Sequence, residues 1–236
     1  MVLPCPIITT PSTRAPKGIV HGPPGCGKTT FGAGANGVIV DCENGIPQGA
    51  AWARTPYLPT WPAIRSWLDA LTVAPDRPGV LVIDTIDWLL RRLEEHVAGV
   101  DGDESNMTAT LNRSHGGYGN GKQVLRNHVY QWLLPTLDRF VLNGTAVLLL
   151  AHSTRRVVTN ADGLEVERTY PDIHADLCNT MIEWSDFVGA AVVTPQQRIM
   201  VLTESPQIVA KNRYGINDPV NLKWSDFMAA AFPAAP

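Results

Sequence analysis

Cysteine is sparse and scattered in this 236-residue chain: Cys5, Cys26, Cys42 and Cys178, with no C-x-x-C pair. That spacing speaks against a zinc site or a disulfide framework and fits reduced thiols in a cytosolic protein. Excess positive charge is also missing. The net charge is −3, so no global basic field advertises nucleic acid, and any such contact has to be local. No apolar run approaches the roughly 20 residues of a membrane helix. The first residues lack the charged-then-apolar pattern of a secretion signal. Disorder is not the default either, because the 44% hydrophobic content is ordinary for a folded domain.

Against these absences stands one dense motif, Gly22-Pro23-Pro24-Gly25-Cys26-Gly27-Lys28-Thr29, followed by Thr30. It matches the phosphate-binding loop G-x-x-x-x-G-K-[ST] at every fixed position. Its glycines let the backbone curl into a nest of N–H groups around the phosphates of a nucleotide. Lys28 adds a point charge, and the Thr29 hydroxyl suits Mg²⁺. Lys17–His21 reads as a strand entering the loop, and a helix starting near Lys28 would aim its positive end at the phosphates. A nucleoside triphosphate and Mg²⁺ are therefore the expected ligands.

Taken in order, residues 1–16 carry Pro4, Pro6, Pro11 and Pro16 and read as an extended N-terminal arm, ahead of a single domain over 17–236. Gly37–Asp41 and Val80–Asp84 read as buried strands ending in acids, and Thr145–His152 as a third ending in a polar residue. Carboxyl ends of such strands face the ligand crevice of an α/β sheet. Helices are expected at 60–71, after Asp84, over 122–142 with a kink at Pro135, near 174–184, and at 224–231. Thr60 is the expected cap of the first. Residues 99–121 and 153–172 read as a long polar loop and an exposed hairpin with a turn at Asn160–Gly163. Strands are expected at 187–193, 198–203 and Ile208–Ala210.

Asp84 is the expected second Mg²⁺ ligand beside Thr29. Glu43 is the candidate general base for an attacking water, and it shares one side with Asp41 if the strand runs that far. A solvated loop acid remains open on spacing alone. His152 is either a sensor of the terminal phosphate or a satisfied polar residue at a strand end. Lys211 and Arg213 are either a solvated basic pair or cations that neutralise phosphoryl charge.

The ordered set Val40-Asp41-Cys42-Glu43-Asn44, Ile83-Asp84-Thr85, Ala151-His152 and Lys211-Asn212-Arg213 resembles the RecA/Rad51 class of P-loop ATPases. With Gly117-Tyr118-Gly119 it is more similar still to the small core-only phage nucleotide-binding and single-strand annealing ATPases. The resemblance covers about residues 17–215. His152 stands where recombinases usually carry glutamine, and their extra terminal domains are missing. The resemblance implies an α/β fold: a three-layer α/β/α RecA-like P-loop NTPase core with a mostly parallel central sheet. It implies an ATPase that binds single-stranded DNA and works as a homo-oligomeric ring or filament in annealing or homologous recombination. A phage single-strand-binding protein is the implied partner, and a bacterial host cytoplasm the implied location. Lys211 and Arg213 would then reach a neighbour's ATP. Arg113, Lys122, Arg155, Arg156 and Arg168 would contact DNA phosphates, and Tyr118 would stack on a base. A P-loop nucleotide kinase and a helicase-loader-like helper ATPase are the competing readings.

Overall fold

The computed structural model describes residues 14–100, 110–159 and 162–233. Residues 1–13 of the expected arm, the Asp101–Glu104 stretch of the polar loop and the first two residues of the 160–163 turn lie outside these. Strand β1 (Lys17–Gly22) leads through the phosphate-binding loop into helix α1 (Lys28–Ala33). Then come β2 (Val38–Asp41), α2 (Trp61–Val73), β3 (Val80–Asp84) and α3 (Ile86–Ala98). A long helix follows, in two α-helical parts, α4 (Asn120–His128) and α5 (Leu134–Leu142), around a π turn at Val129–Leu133. Pro135 has no N–H to donate, and the single π turn just before it absorbs that loss without breaking the helix. Next are β4 (Ala146–Thr159), β5 (Glu165–Pro171), α6 (Ala175–Trp184), β6 (Phe187–Val193) and β7 (Arg198–Val201). The short pairs β8 (Lys211–Asn212) and β9 (Val220–Asn221) and helix α7 (Trp224–Ala231) complete the chain.

The sheet order is β2-β3-β4-β1-β6-β7-β9. Its first five strands are parallel, and β7, β8 and β9 pair antiparallel at the far side. Strand β4 thus separates the strand that carries the phosphate loop from the one that ends in Asp84. Side chains alternate between two cores, as a pleated strand requires. Ile19, Val40, Leu81, Ile83, Val147 and Leu149 face α2, α3, α4, α5 and α6. Val20, Ile39, Val82, Leu148 and Leu150 face α1 and α7. Burial on both faces makes these strands near-continuous apolar runs. The result is the three-layer α/β/α core with a mostly parallel central sheet expected from the sequence. At Gly18 the ring of Phe187 lies where any β-carbon would stand, so the bare backbone is what lets β1 pack there.

Three local expectations change. Strand β4 does not end at His152 but runs on to Thr159, its outer half pairing with β5 as the hairpin. Ile208–Ala210 forms no strand; Ile208 makes one bridge to Thr169, and pairing resumes only at Lys211. Thr60 occupies the cap position of α2 without a side-chain capping bond.

Buried His21 ties these parts together. Its Nε2–H donates to the Val209 carbonyl at 2.9 Å, leaving Nδ1 to accept from the Ser153 hydroxyl, also at 2.9 Å. Burial pushes its pKa down to about 4, so the ring is neutral.

Candidate active site

Gly25 and Gly27 hold φ of +74° and +104°, a left-handed backbone that other residues adopt at a cost. Gly27 is the residue that turns the loop into α1. The Lys28 ammonium folds back onto the loop, donating to the Gly22 and Pro23 carbonyls at 2.9 and 3.0 Å. A pocket of about 290 Å³ opens above it. It is lined by the loop residues Pro24, Gly25, Gly27, Lys28, Thr29 and Thr30, together with Glu43, Asp84, His152, Trp52 and Arg198.

Asp84 lies at the end of β3 and lines the pocket together with Thr29. Burial raises its pKa to about 6; the Thr29 hydroxyl opposes this, while Glu43 and Asp41 reinforce it. A buried carboxylate short of compensating charge, next to a hydroxyl, is an oxygen donor set suited to a hard divalent cation. Thr29 and Asp84 would hold Mg²⁺ here, which when bound offsets charge on the phosphate oxygens. The neighbouring Thr85 hydroxyl is buried without a partner among the described residues.

Asp41 and Glu43 do not extend a common strand face. The strand stops at Asp41, whose carboxylate accepts the backbone N–H groups of Glu43 and Asn44 at 3.3 and 2.7 Å. This turn, with Asn44 at φ 61°, swings Glu43 into the pocket. Half-burial raises the Glu43 pKa, partly countered by His152. The His152 Nε2 lies 3.7 Å from the Glu43 carboxylate. On its other side, Nδ1–H donates to Asp87 at 2.8 Å, and the Asp87 carboxylate also accepts the His152 backbone N–H at 3.0 Å. That hydrogen bond is the main reason the His152 pKa is raised. The arrangement Glu43···His152···Asp87 joins the pocket to the first turn of α3, where His152, Asp87, Asp172 and His174 line an adjoining cavity of about 470 Å³.

Sequence reasoning missed Asp87, Trp52 and Arg198. Asp87 had a local signal, an acid in the first turn of a helix that starts at a ligand-facing strand end. Trp52 and Arg198 had none, since each reaches the pocket only through tertiary packing.

Lys211 and Arg213 are not brought to this pocket. They lie beside the start of β6, at the opposite end of the sheet from the loop. There Lys211 donates to the Ile182, Glu183 and Ser185 carbonyls at 2.9–3.0 Å, closing the C-terminal end of α6. Arg213 pairs with the buried Asp186 at 3.0 Å, and Arg14 pairs with the same carboxylate.

The expected DNA contacts are also divided. Arg113 and Tyr118 are exposed, and Lys122 is half-buried. On the hairpin, Arg156 and Arg168 stand opposite each other and both lie over the Tyr170 ring. Arg156 also donates to the Ile173 carbonyl, and Arg168 pairs with Glu204. Arg155 points from the other face and is 73% exposed, with Glu167 at 3.3 Å.

A glycine loop at the head of a parallel strand, a buried acid facing its threonine and a second acid across the pocket define a P-loop nucleoside-triphosphatase site. Residues 14–214 match the model of the family described as AAA domain (AAA_24), and the chain belongs to that family of P-loop ATPases. No curated protein matches it. Among solved structures it is similar to the flagellar accessory protein FlaH from Methanocaldococcus jannaschii. Identity there is 9%, coverage 79% of this chain and 76% of that one, and the TM-score 0.39. Among the described residues no helix is long and apolar enough to cross a membrane.

Proposed function

We propose that this protein hydrolyses ATP and uses the cycle to bind single-stranded DNA and promote annealing or homologous recombination as a homo-oligomer, in the manner of a phage recombinase. The observation that carries the hydrolytic part is Glu43, turned by Asp41 into the pocket that Lys28 also lines, with its carboxylate 3.7 Å from the His152 Nε2. In this reading the loop amides and Lys28 hold the phosphates. Glu43 orients a water and accepts its proton. His152, kept in one orientation by Asp87, shares that charge and registers whether the terminal phosphate is present. Thr29 and Asp84 hold the Mg²⁺ that offsets phosphate charge.

Because His152 belongs to the strand that continues into the hairpin, a change at the pocket has a covalent path to Arg155. Lys211 and Arg213 lie at the far end of the sheet, so any nucleotide they touch belongs to a neighbouring copy. The continuous strand supports a link between the nucleotide and a DNA-binding hairpin, while Lys211 and Arg213 are engaged within the chain. A single experiment tests the reading: ATPase rate with and without single-stranded DNA, with molecular mass measured on the same samples. Stimulation by DNA and a mass above that of one chain are expected. Absence of DNA binding at low salt, with and without ATP, would sink it.

One observation favours a second reading, a helper ATPase of the helicase-loader kind whose nucleotide only governs assembly. Arg156 and Arg168 are taken up internally, which thins the set of cations free to meet DNA. Slow turnover with assembly only on a partner protein is its signature.

A further inference from the structure

The strand order divides the nucleotide pocket into two flanks. Glu43, Asp84 and His152 come from β2, β3 and β4, all on one side of β1. Arg198 comes from β7, two strands away on the other side, yet it lines the same pocket. Its guanidinium lies 3.2 Å from where a β-carbon of Gly27 would stand, with Leu222 beside it at 3.6 Å. The side chain is exposed, and unlike Arg168 or Arg213 it has no ion pair or side-chain hydrogen bond among the described residues.

The backbone beneath it is fixed. Arg198 opposes Val193 at the end of β6. The turn between them is closed by Thr194, whose hydroxyl accepts from the Gln197 N–H at 3.1 Å while its own N–H donates to the Gln197 carbonyl at 2.8 Å. On the outer side the Arg198 carbonyl accepts from the Leu222 N–H at 2.9 Å. A planar cation is therefore held at the loop from the side away from the hydrolytic acids.

From this we infer that Arg198 binds the nucleoside end of the nucleotide, its guanidinium lying against the base and ribose rather than the terminal phosphates. The inference rests on the nucleotide-site reading above. A triphosphate whose terminal group faces Glu43 and His152 has room to carry its nucleoside toward the β6–β7 flank, where Arg198 lines the pocket and Leu222 packs beside it against Gly27. A guanidinium stacks on a flat ring in a way an ammonium cannot.

The test is equilibrium binding of ATP, ADP and inorganic tripolyphosphate to the full chain and to its Arg198→Ala, Arg198→Lys and Lys28→Ala variants. In Arg198→Ala, ATP and ADP should each bind about tenfold more weakly, between the sizes of an exposed and a fully desolvated cation–ring contact. Tripolyphosphate, which has no base or ribose, should bind as before, and Arg198→Lys should restore only part of the loss. Equal weakening of tripolyphosphate, or unchanged ATP and ADP, would overturn the assignment. If the unmodified chain bound no nucleotide, or Lys28→Ala bound it equally well, the nucleotide-site reading itself would fall instead.

Discussion

At the scale of single residues, Glu43 is the most informative position. Glu43→Gln keeps the shape and removes the base, so turnover should fall by about 10²–10⁴ while ATP affinity stays near that of the parent. Steady-state rates beside equilibrium binding check this; a proportional loss of both would mean that Glu43 only helps hold the nucleotide. Its raised pKa gives a second expectation: turnover should decline on acidification at a less acidic pH than an ordinary glutamate would dictate.

His21 and Asp84 make opposite contributions to stability in acid. His21 has a folded pKa of about 4 against 6.5 unfolded, so the unfolded chain binds the proton first. Stability from His21 is lost as pH falls through that window, on the order of 3 kcal/mol in full. Asp84 has a folded pKa of about 6 against 3.8, so there the folded chain binds the proton first and stability is gained as pH falls. The two largely offset each other between pH 6 and 4. Asp84→Asn should therefore expose the His21 slope, visible as a steeper fall of the thermal midpoint below pH 6.5. Parallel curves for the two proteins would contradict this. None of it was legible in the sequence, where His21 is only the last residue of a strand; burial and its two partners come from segments more than a hundred residues away.

At the scale of elements, α6 and the hairpin separate structural cations from solvent-facing ones. Lys211→Met removes three bonds to the end of α6 and should cost about 1–3 kcal/mol, seen as a lower denaturant midpoint. On the hairpin, Arg155→Ala should lower the salt dependence of single-stranded DNA binding by about one phosphate contact and leave melting unchanged. Arg156→Ala should do the reverse, since it strips a cation from Tyr170 and a donor from the Ile173 carbonyl. Equal effects of the two on DNA binding would argue against this division. Sequence reading found the hairpin from its turn and alternating charges. Which arginine faces outward depends on the register Arg156↔Arg168 and on the place of Tyr170, and neither is local.

At the scale of the whole molecule, the parallel core was legible because burial on both faces leaves an unmistakable apolar run, as in Leu81–Ile83 or Val147–Leu150. The phosphate loop was legible because its function needs particular residues at fixed spacing. Its surroundings were legible only in part. Asp84 ends a recognisable strand, whereas Arg198 and Trp52 arrive from sequence with no periodic or compositional mark. Strands of two residues, such as β8 and β9, carry too little pattern to be read at all.

Strand β4 has a mechanical consequence. Its first half, Ala146–Ala151, is clamped between β1 and β3, while Ser153–Thr159 has β5 as its strand neighbour, with Ser153 tied to His21 and Arg156 to the Ile173 carbonyl. His152 is thus the fulcrum of an arm that, at ~3.3 Å per residue, reaches roughly 23 Å. By simple leverage on that length, a tilt of about 5° at the fulcrum carries the tip about 2 Å. Any process that pulls His152 toward or away from Glu43 therefore gains amplitude with distance and produces its largest displacement where the hairpin ends.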